Sequence, residues 1–261
     1  MKATKEIIVR SVVWGAVMLA APAVQADSGN SACSQLPGQA ALKAALTTAR
    51  QAANGGFNLD MWGTIVNRDG IVCAVAFTGA DRGAQWPGSR VISAQKANTA
   101  NSFSLPGLAL STANLWAPVQ PGGSLFGLQH SNPVDTDSAY QGPSSYFGQP
   151  NDPMVGQKIG GVNVFGGGLA LYNSAHVLIG GIGVSGDTSC ADHNIAWRTR
   201  HLLNLDFIPG GVSGVAGQGD NINYQGLVPA PGLANDFSHP LCRIAGVDTV
   251  SAISAALPLT Q

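Results

Sequence analysis

The feature that most constrains this chain is a change of period between residues 160 and 202. From 162 to 172 branched and aromatic residues are interspersed with glycines, Asn173-Ser174 marks a turn, and 176–184 is a second apolar run. The period then becomes helical. Ala191, Ile195, Arg198 and Leu202 recur at helix spacing after Asp187-Thr188-Ser189, side chains suited to capping a helix N-terminus. A β-hairpin, a glycine-rich turn and a helix are therefore expected in succession. A sheet edge that ends in such a turn and a helix N-terminus is a place for a ligand to sit.

Within this stretch Gly181-Ile182-Gly183-Val184-Ser185-Gly186 has the G-x-G-x-x-G spacing of a dinucleotide-binding turn. Such a turn opens a βαβ unit whose second parallel strand carries an acidic residue about 20 residues on. Here the preceding strand is the second arm of a hairpin. The acid at that distance, Asp206, lies near the end of the helix, and no second parallel strand follows. The glycines are expected instead to allow close helix–sheet packing.

Residues 1–26 read as a secretory signal: Lys2, Lys5 and Arg10 form a basic start, 12–24 is an apolar core, and Val24-Gln25-Ala26 is a small-residue cleavage site. The apolar core is too short to span a bilayer, so no membrane insertion is expected after cleavage, and a periplasmic or secreted protein results. The signal removes three of 13 basic and one of 14 acidic residues, so the mature balance is 10 − 13 = −3. Without a basic cluster, nucleic acid is excluded as a partner. Glu6, the one glutamate, leaves with the signal, which excludes a glutamate base. All four cysteines, Cys33, Cys73, Cys190 and Cys242, are in the mature chain, and three pairings are open. Cys33–Cys73 and Cys190–Cys242 are favoured, since they tie the N-terminus to an early strand and the glycine turn to the C-terminal region. A zinc site is the rival use, but no C-x2-C spacing supports it.

Along the chain, 36–54 is rich in strong helix formers and stops at Gly55-Gly56. Strands are expected over 59–67 and 71–78, joined by a turn at Arg68-Asp69-Gly70. A second helix is expected over 89–104, a short helix or loop over 112–116, and a third helix over 191–204. Residues 120–158 are polar and rich in Pro, Gly, Ser and Asn, the composition of a long functional or interface loop. Residues 207–261 show little regular pattern. The fold class is thus α/β: a single domain with a central antiparallel sheet and helices packed on its faces, a profilin-like α-β-α arrangement. The domain spans 27–206, and 207–261 forms an irregular C-terminal extension.

Four ordered segments resemble the GlcG/HbpS-like haem-binding domains. After an alanine-rich first helix come Val66-Asn67-Arg68-Asp69-Gly70, then Ser93-Ala94-Gln95-Lys96-Ala97-Asn98-Thr99-Ala100, similar to the family's S-x-x-K-A-x-T-A helix. Pro121-Gly122-Gly123-Ser124-Leu125 is similar to its P-G-G turn, and Gly180 to Gly186 followed by Asp192 to its glycine-rich ending. The family usually has Asp-Glu there, where this chain has Asp192-His193, and the cysteines suit an exported branch. The resemblance covers about 36–204. It implies that the second helix borders a pocket for haem or another small planar ligand, and a homo-oligomeric protein.

On that basis Lys96, Thr99, Phe103, Gly183, Gly186, Asp192 and His193 are the candidate ligand-binding residues, with His193 as a ligand to haem iron. Lys96 and Thr99 share a helix face; Lys96 is placed to meet a propionate, and Thr99 to hydrogen-bond or weakly ligate. The plain alternatives are a surface or capping histidine, a solvent-facing lysine and a threonine bonded to its own helix. His176 reads as a core or edge histidine in a strand; His130 and His239 fall in loops, and His201 is two turns beyond His193. No nucleophile elbow or H-E-x-x-H motif is present, so no catalytic residue is expected and a non-enzymatic role is favoured. Besides haem binding or sequestration, two readings remain: a GlcG-type small-metabolite-binding or accessory protein without haem, and a structural oligomeric protein.

Overall fold

A computed structural model describes residues 32–225 and 236–261; the expected signal lies outside them. The domain opens with α1 (Gln39–Gln51), followed by β1 (Trp62–Asn67), β2 (Val72–Phe77) and α2 (Ser89–Phe103). The short helices α3 (Leu128–Ser131) and α4 (Thr136–Tyr140) lead to β3 (Gly168–Tyr172), β4 (Leu178–Ser185) and α5 (Ser189–Leu202). The extension adds a small hairpin, β5 (Arg243–Ile244) with β6 (Val247–Asp248), and a last short helix, α6 (Ser251–Ala255).

The main sheet has the order β2-β1-β4-β3, and every neighbouring pair is antiparallel. Strand alternation splits its side chains between two layers. Ile65, Ala74, Ala76, Leu169, Leu171, Ile182 and Val184 pack with Leu42 and Leu46 of α1 and Ile195 and Trp197 of α5. Val66, Val72, Val75 and Phe77 pack with Val91, Ala94 and Ala97 of α2 on the other face. The result is the α-β-α architecture expected from the sequence. The Arg68-Asp69-Gly70 turn joins β1 and β2, with Gly70 at φ 75°.

The glycines of β4 explain how α2 docks. Gly181 and Gly183 point toward α2, and a Cβ on either would overlap a backbone carbonyl oxygen, that of Ala97 or Ser93 respectively. A Cβ on Gly168 of β3 would overlap the Lys96 carbonyl oxygen. α2 answers with small residues at four-residue intervals, Ser89, Ser93 and Ala97; Ser93 Oγ lies 2.8 Å from Thr64 Oγ1, and Ser185 donates to Ser89 Oγ at 3.1 Å. Gly181 and Gly183 of the G-x-G-x-x-G spacing therefore serve helix-on-sheet packing, as anticipated.

Three expectations are corrected. Residues 162–167 are not strand: Gly160, Gly161 and Gly167 take positive φ, and the segment leaves the sheet to run along α2. His176 is not in a strand; it occupies the β3–β4 turn at φ 58°, exposed, with Nδ1 3.1 Å from the Phe207 carbonyl oxygen. Residues 120–158 hold α3, α4 and a 3-10 turn, Ser144–Tyr146. That region is fastened from inside by Arg90, whose guanidinium donates to Asp152 through Nε and Nη2 and to the Ala139 carbonyl through Nη1 at 2.8 Å. Asp152 in turn accepts the backbone N–H groups of Gly148 and Met154, so its buried charge is fully surrounded.

Both favoured disulfides form, Cys33–Cys73 and Cys190–Cys242, with Cα separations of 5.5 and 6.0 Å. No helix among the described residues is long and apolar enough to cross a membrane.

Candidate functional site

The candidate residues converge where α2, the glycine turn after β4 and the first turn of α5 meet. Asp187 builds the turn: its carboxylate accepts the N–H groups of Phe57, Leu59 and Thr188. Thr188 caps α5 through the Ala191 N–H at 3.3 Å, as the sequence indicates. Asp192 thus sits in the first helical turn, where the helix dipole favours a carboxylate, and its Oδ1 accepts the Asp187 N–H at 2.8 Å.

Lys96 crosses from α2 to this carboxylate. Its Nζ lies 2.8 Å from Asp192 Oδ2 and 3.1 Å from the Val184 carbonyl oxygen, and a Cβ on Gly167 would come within 3.2 Å of it. The lysine is 1% exposed. It is neither solvent-facing nor free for a ligand carboxylate: its charge is matched inside the protein. Burial pushes the Asp192 carboxyl up to about 6, against the opposing pull of Lys96.

Thr99 is fully buried, donates to the Gln95 carbonyl within its own helix and accepts the Asn163 N–H at 2.9 Å. It anchors the irregular 162–167 segment to α2. Phe103 lies apart from this centre, half-buried against the cluster of Leu110, Leu115 and Val164. Gly186 is pressed against Asp60 and Met61. The structure therefore brings together Lys96, Gly183 and Asp192, with His193 next along α5, and separates Phe103 from them.

His193 is 0% exposed, neither a surface nor a capping residue. Its cover comes from the C-terminal extension. Asn221 is oriented by Nδ2 donation to the Gln218 side chain and the Ser254 carbonyl, both at 3.0 Å. Its Oδ1 therefore faces His193 Nε2 at 3.1 Å, and it also accepts the Ile222 N–H at 2.7 Å. That N–H lies 3.1 Å from Nε2, a longer approach. Nε2 is thus engaged from two sides, by the Asn221 oxygen and the Ile222 N–H, whereas Nδ1 is buried without a hydrogen-bond partner among the described residues. Burial first, and then the positive charge of Arg200, pushes the imidazole down to about 3. The ring is neutral at any ordinary pH.

The sequence reading missed the cover and its anchor. Asp220, beside Asn221, is held by Arg200 of α5 through contacts of 2.6 and 2.9 Å, with both side chains 0% exposed. An Arg seven positions, two helical turns, past His193 on the same helix was the available signal; its partner lay in a segment without periodicity. His239, assigned to an uninformative loop, is buried; its Nδ1 is 2.7 Å from the Pro240 carbonyl oxygen. It lies beside Cys190 and Cys242, close enough to share a metal ion, but the disulfide occupies both sulfurs. His201, two turns further along α5, pairs with Asp206 at 2.7 Å.

An antiparallel sheet between helices, a glycine track under the second helix and a buried Lys–Asp pair at the glycine turn define the class. The chain belongs to the HbpS-like family: the family model described as haem degrading protein HbpS-like matches residues 37–200. A search of curated proteins finds no match. Among solved structures, the chain is similar to a PduOC:haem complex, with 25% identity over 64% of this chain and 91% of the other at a TM-score of 0.43. It is also similar to the Klebsiella pneumoniae protein ORFY, with 23% identity over 72% of this chain and 97% of the other at 0.41. HbpS itself shares 16% identity over 63% of this chain and 86% of its own at 0.39.

Proposed function

We propose that this is an exported haem-binding protein in which His193 supplies the iron ligand. The observation that carries this reading is the imidazole itself: neutral, with Nε2 engaged by Asn221 and Ile222, and with Nδ1 left without a partner among the described residues. A neutral imidazole nitrogen with a hydrogen bond on its other nitrogen is the usual form of a haem axial ligand. Membership of a family described as haem degrading supports the same ligand class.

The donor chemistry fits haem iron, but the closed chain offers no open face at this point. Lys96, Thr99 and His193 are all 1% exposed or less, and Asn221 and Ile222 rest on the imidazole. Haem binding at His193 therefore goes with displacement of that part of the extension, while Lys96 stays with Asp192. The protein's own residues position one ligand nitrogen and exclude water from it until then.

Export rests on the signal-like first 26 residues, and two disulfides suit an oxidising compartment. A closed symmetric homo-oligomer is part of the proposal; a strictly monomeric mass in light scattering at high concentration would remove it. The sealed state of His193 favours a second reading, a metabolite-binding protein of this family that takes no haem.

Titrating the mature protein with hemin separates the two. A Soret band that moves or disappears in His193→Ala supports the first reading. If the parent binds no hemin, the haem reading falls and the metabolite reading stands. If His193→Ala binds as the parent does, haem sits elsewhere.

A further inference from the structure

A cavity of about 210 Å³ lies between the start of α2 and the segment that Arg90 fastens, far from the use made of His193. Trp62, Arg82, Gly88, Arg90, Tyr140 and Phe147 line it. Three observations say what it would hold. First, Trp62 is 1% exposed and its indole Nε1 is buried without a hydrogen-bond partner. A buried N–H of this kind carries an unrelieved desolvation penalty; the nitrogen has no accessible surface in the closed cavity, so an acceptor relieves it only once a wall side chain turns aside.

Second, the two arginines differ. Arg90 is already neutralised by Asp152, and its guanidinium stacks 3.7 Å from the Phe147 ring centre, so it forms wall rather than binding group. Arg82 is exposed and has no ion-pair or hydrogen-bond partner among the described residues. The first turn of α2, which starts at Ser89 after Gly88, adds a partial positive charge on the same side. Third, the outer wall is aromatic: Tyr140 is 58% exposed and Phe147 half-buried.

We propose that this cavity binds a small planar carboxylate about one aromatic ring in size. The ring lies against Tyr140 and Phe147, one carboxylate oxygen pairs with Arg82, and the other reaches the Trp62 indole N–H as the wall side chains give way. Pockets for drug-sized ligands run from about 300 to 1,000 Å³, so this one is too small for a porphyrin. The site is therefore independent of the haem reading, and it gives the long 120–158 region a purpose, since that region supplies the aromatic wall.

Benzoate is the probe, and the indole N–H resonances of the 15N-labelled mature protein are the readout. Benzoate at millimolar concentration is expected to shift the Trp62 signal, assigned by its loss in Trp62→Phe, and to leave those of Trp116 and Trp197 in place. Arg82→Gln, an exposed change, is expected to weaken benzoate binding about fivefold. Tyr140→Ala is expected to weaken it, and cyclohexanecarboxylate, which lacks the flat ring, to bind less well than benzoate. No indole shift with benzoate overturns the proposal, as does a shift that Arg82→Gln and Tyr140→Ala both leave unchanged. Should Trp62→Phe fail to fold, the two exposed variants decide the matter alone.

Discussion

The burial of His193 makes the protein sensitive to acid in a way that one substitution isolates. The ring is pushed down to about 3 in the folded state, against an ordinary value of 6.5. Because the folded value is the lower one, the stability linked to the neutral ring is fully present above about pH 6.5 and is lost as pH falls toward 3. Each unit in that window removes about 1.4 kcal/mol, so by pH 5 the loss is about 2 kcal/mol. His239, pushed down to about 4 mainly by burial, adds a loss of the same sign. Asp192 works the other way: pushed up to about 6, its contribution is present at low pH and is lost as pH rises from about 4 through 6. Comparing the parent with His193→Leu removes these shared terms. Urea unfolding with the disulfides intact, at pH 7 and pH 5, should show the parent losing about 2 kcal/mol more than the variant. The fixed effect of the lost Asn221 contact cancels, because only the change between the two pH values is compared. Equal losses in the two proteins would refute the argument that His193 is sealed as a neutral base.

Three further outcomes test the frame around the site. Gly183→Ala places a Cβ on the Ser93 carbonyl oxygen and should destabilise by about 1–3 kcal/mol, whereas Gly38→Ala, with open space at its Cβ, should change little in the same unfolding assay. Arg200→Met strands the buried Asp220 charge and should destabilise by about 3–5 kcal/mol, most of it regained when Asp220→Leu is added; no recovery would show that the pair matters for another reason. Replacing Cys190 and Cys242 together by Ala opens a link spanning 52 residues and should remove about 4 kcal/mol. Limited proteolysis of that variant should cut the 207–261 region before the domain.

The parts of this protein legible in the chain are those governed by local rules. The Arg68-Asp69-Gly70 turn, the Thr188 cap and the matched spacings of β4 glycines and α2 small residues each state their structure within a few positions. The 162–167 segment was misread because its valines and phenylalanine carry strand character. Its conformation is decided by glycines at positive φ and by the Thr99 and Asn98 side chains of a distant helix. At the candidate site, the sequence pointed to Lys96, Asp192 and His193 as residue types, but not to how their bonding capacity is used.

That division has one physical cause. Periodicity, capping and turn chemistry are set by neighbours in the chain, so the α-β-α layering, the hairpins and the glycine-for-packing role follow from the amino-acid order alone. The disulfide pairing was narrowed by order and compartment, then met in space at Cα distances of 5.5 and 6.0 Å. The state of a buried charge or ring depends instead on atoms brought close by the fold. Asp192 lies 96 positions from Lys96, Asn221 lies 28 from His193, and Asp152 lies 62 from Arg90. Only the tertiary structure decides that the lysine is spent on an aspartate, that the histidine is neutral and sealed beneath the extension, and that the indole of Trp62 is left without an acceptor beside a cavity.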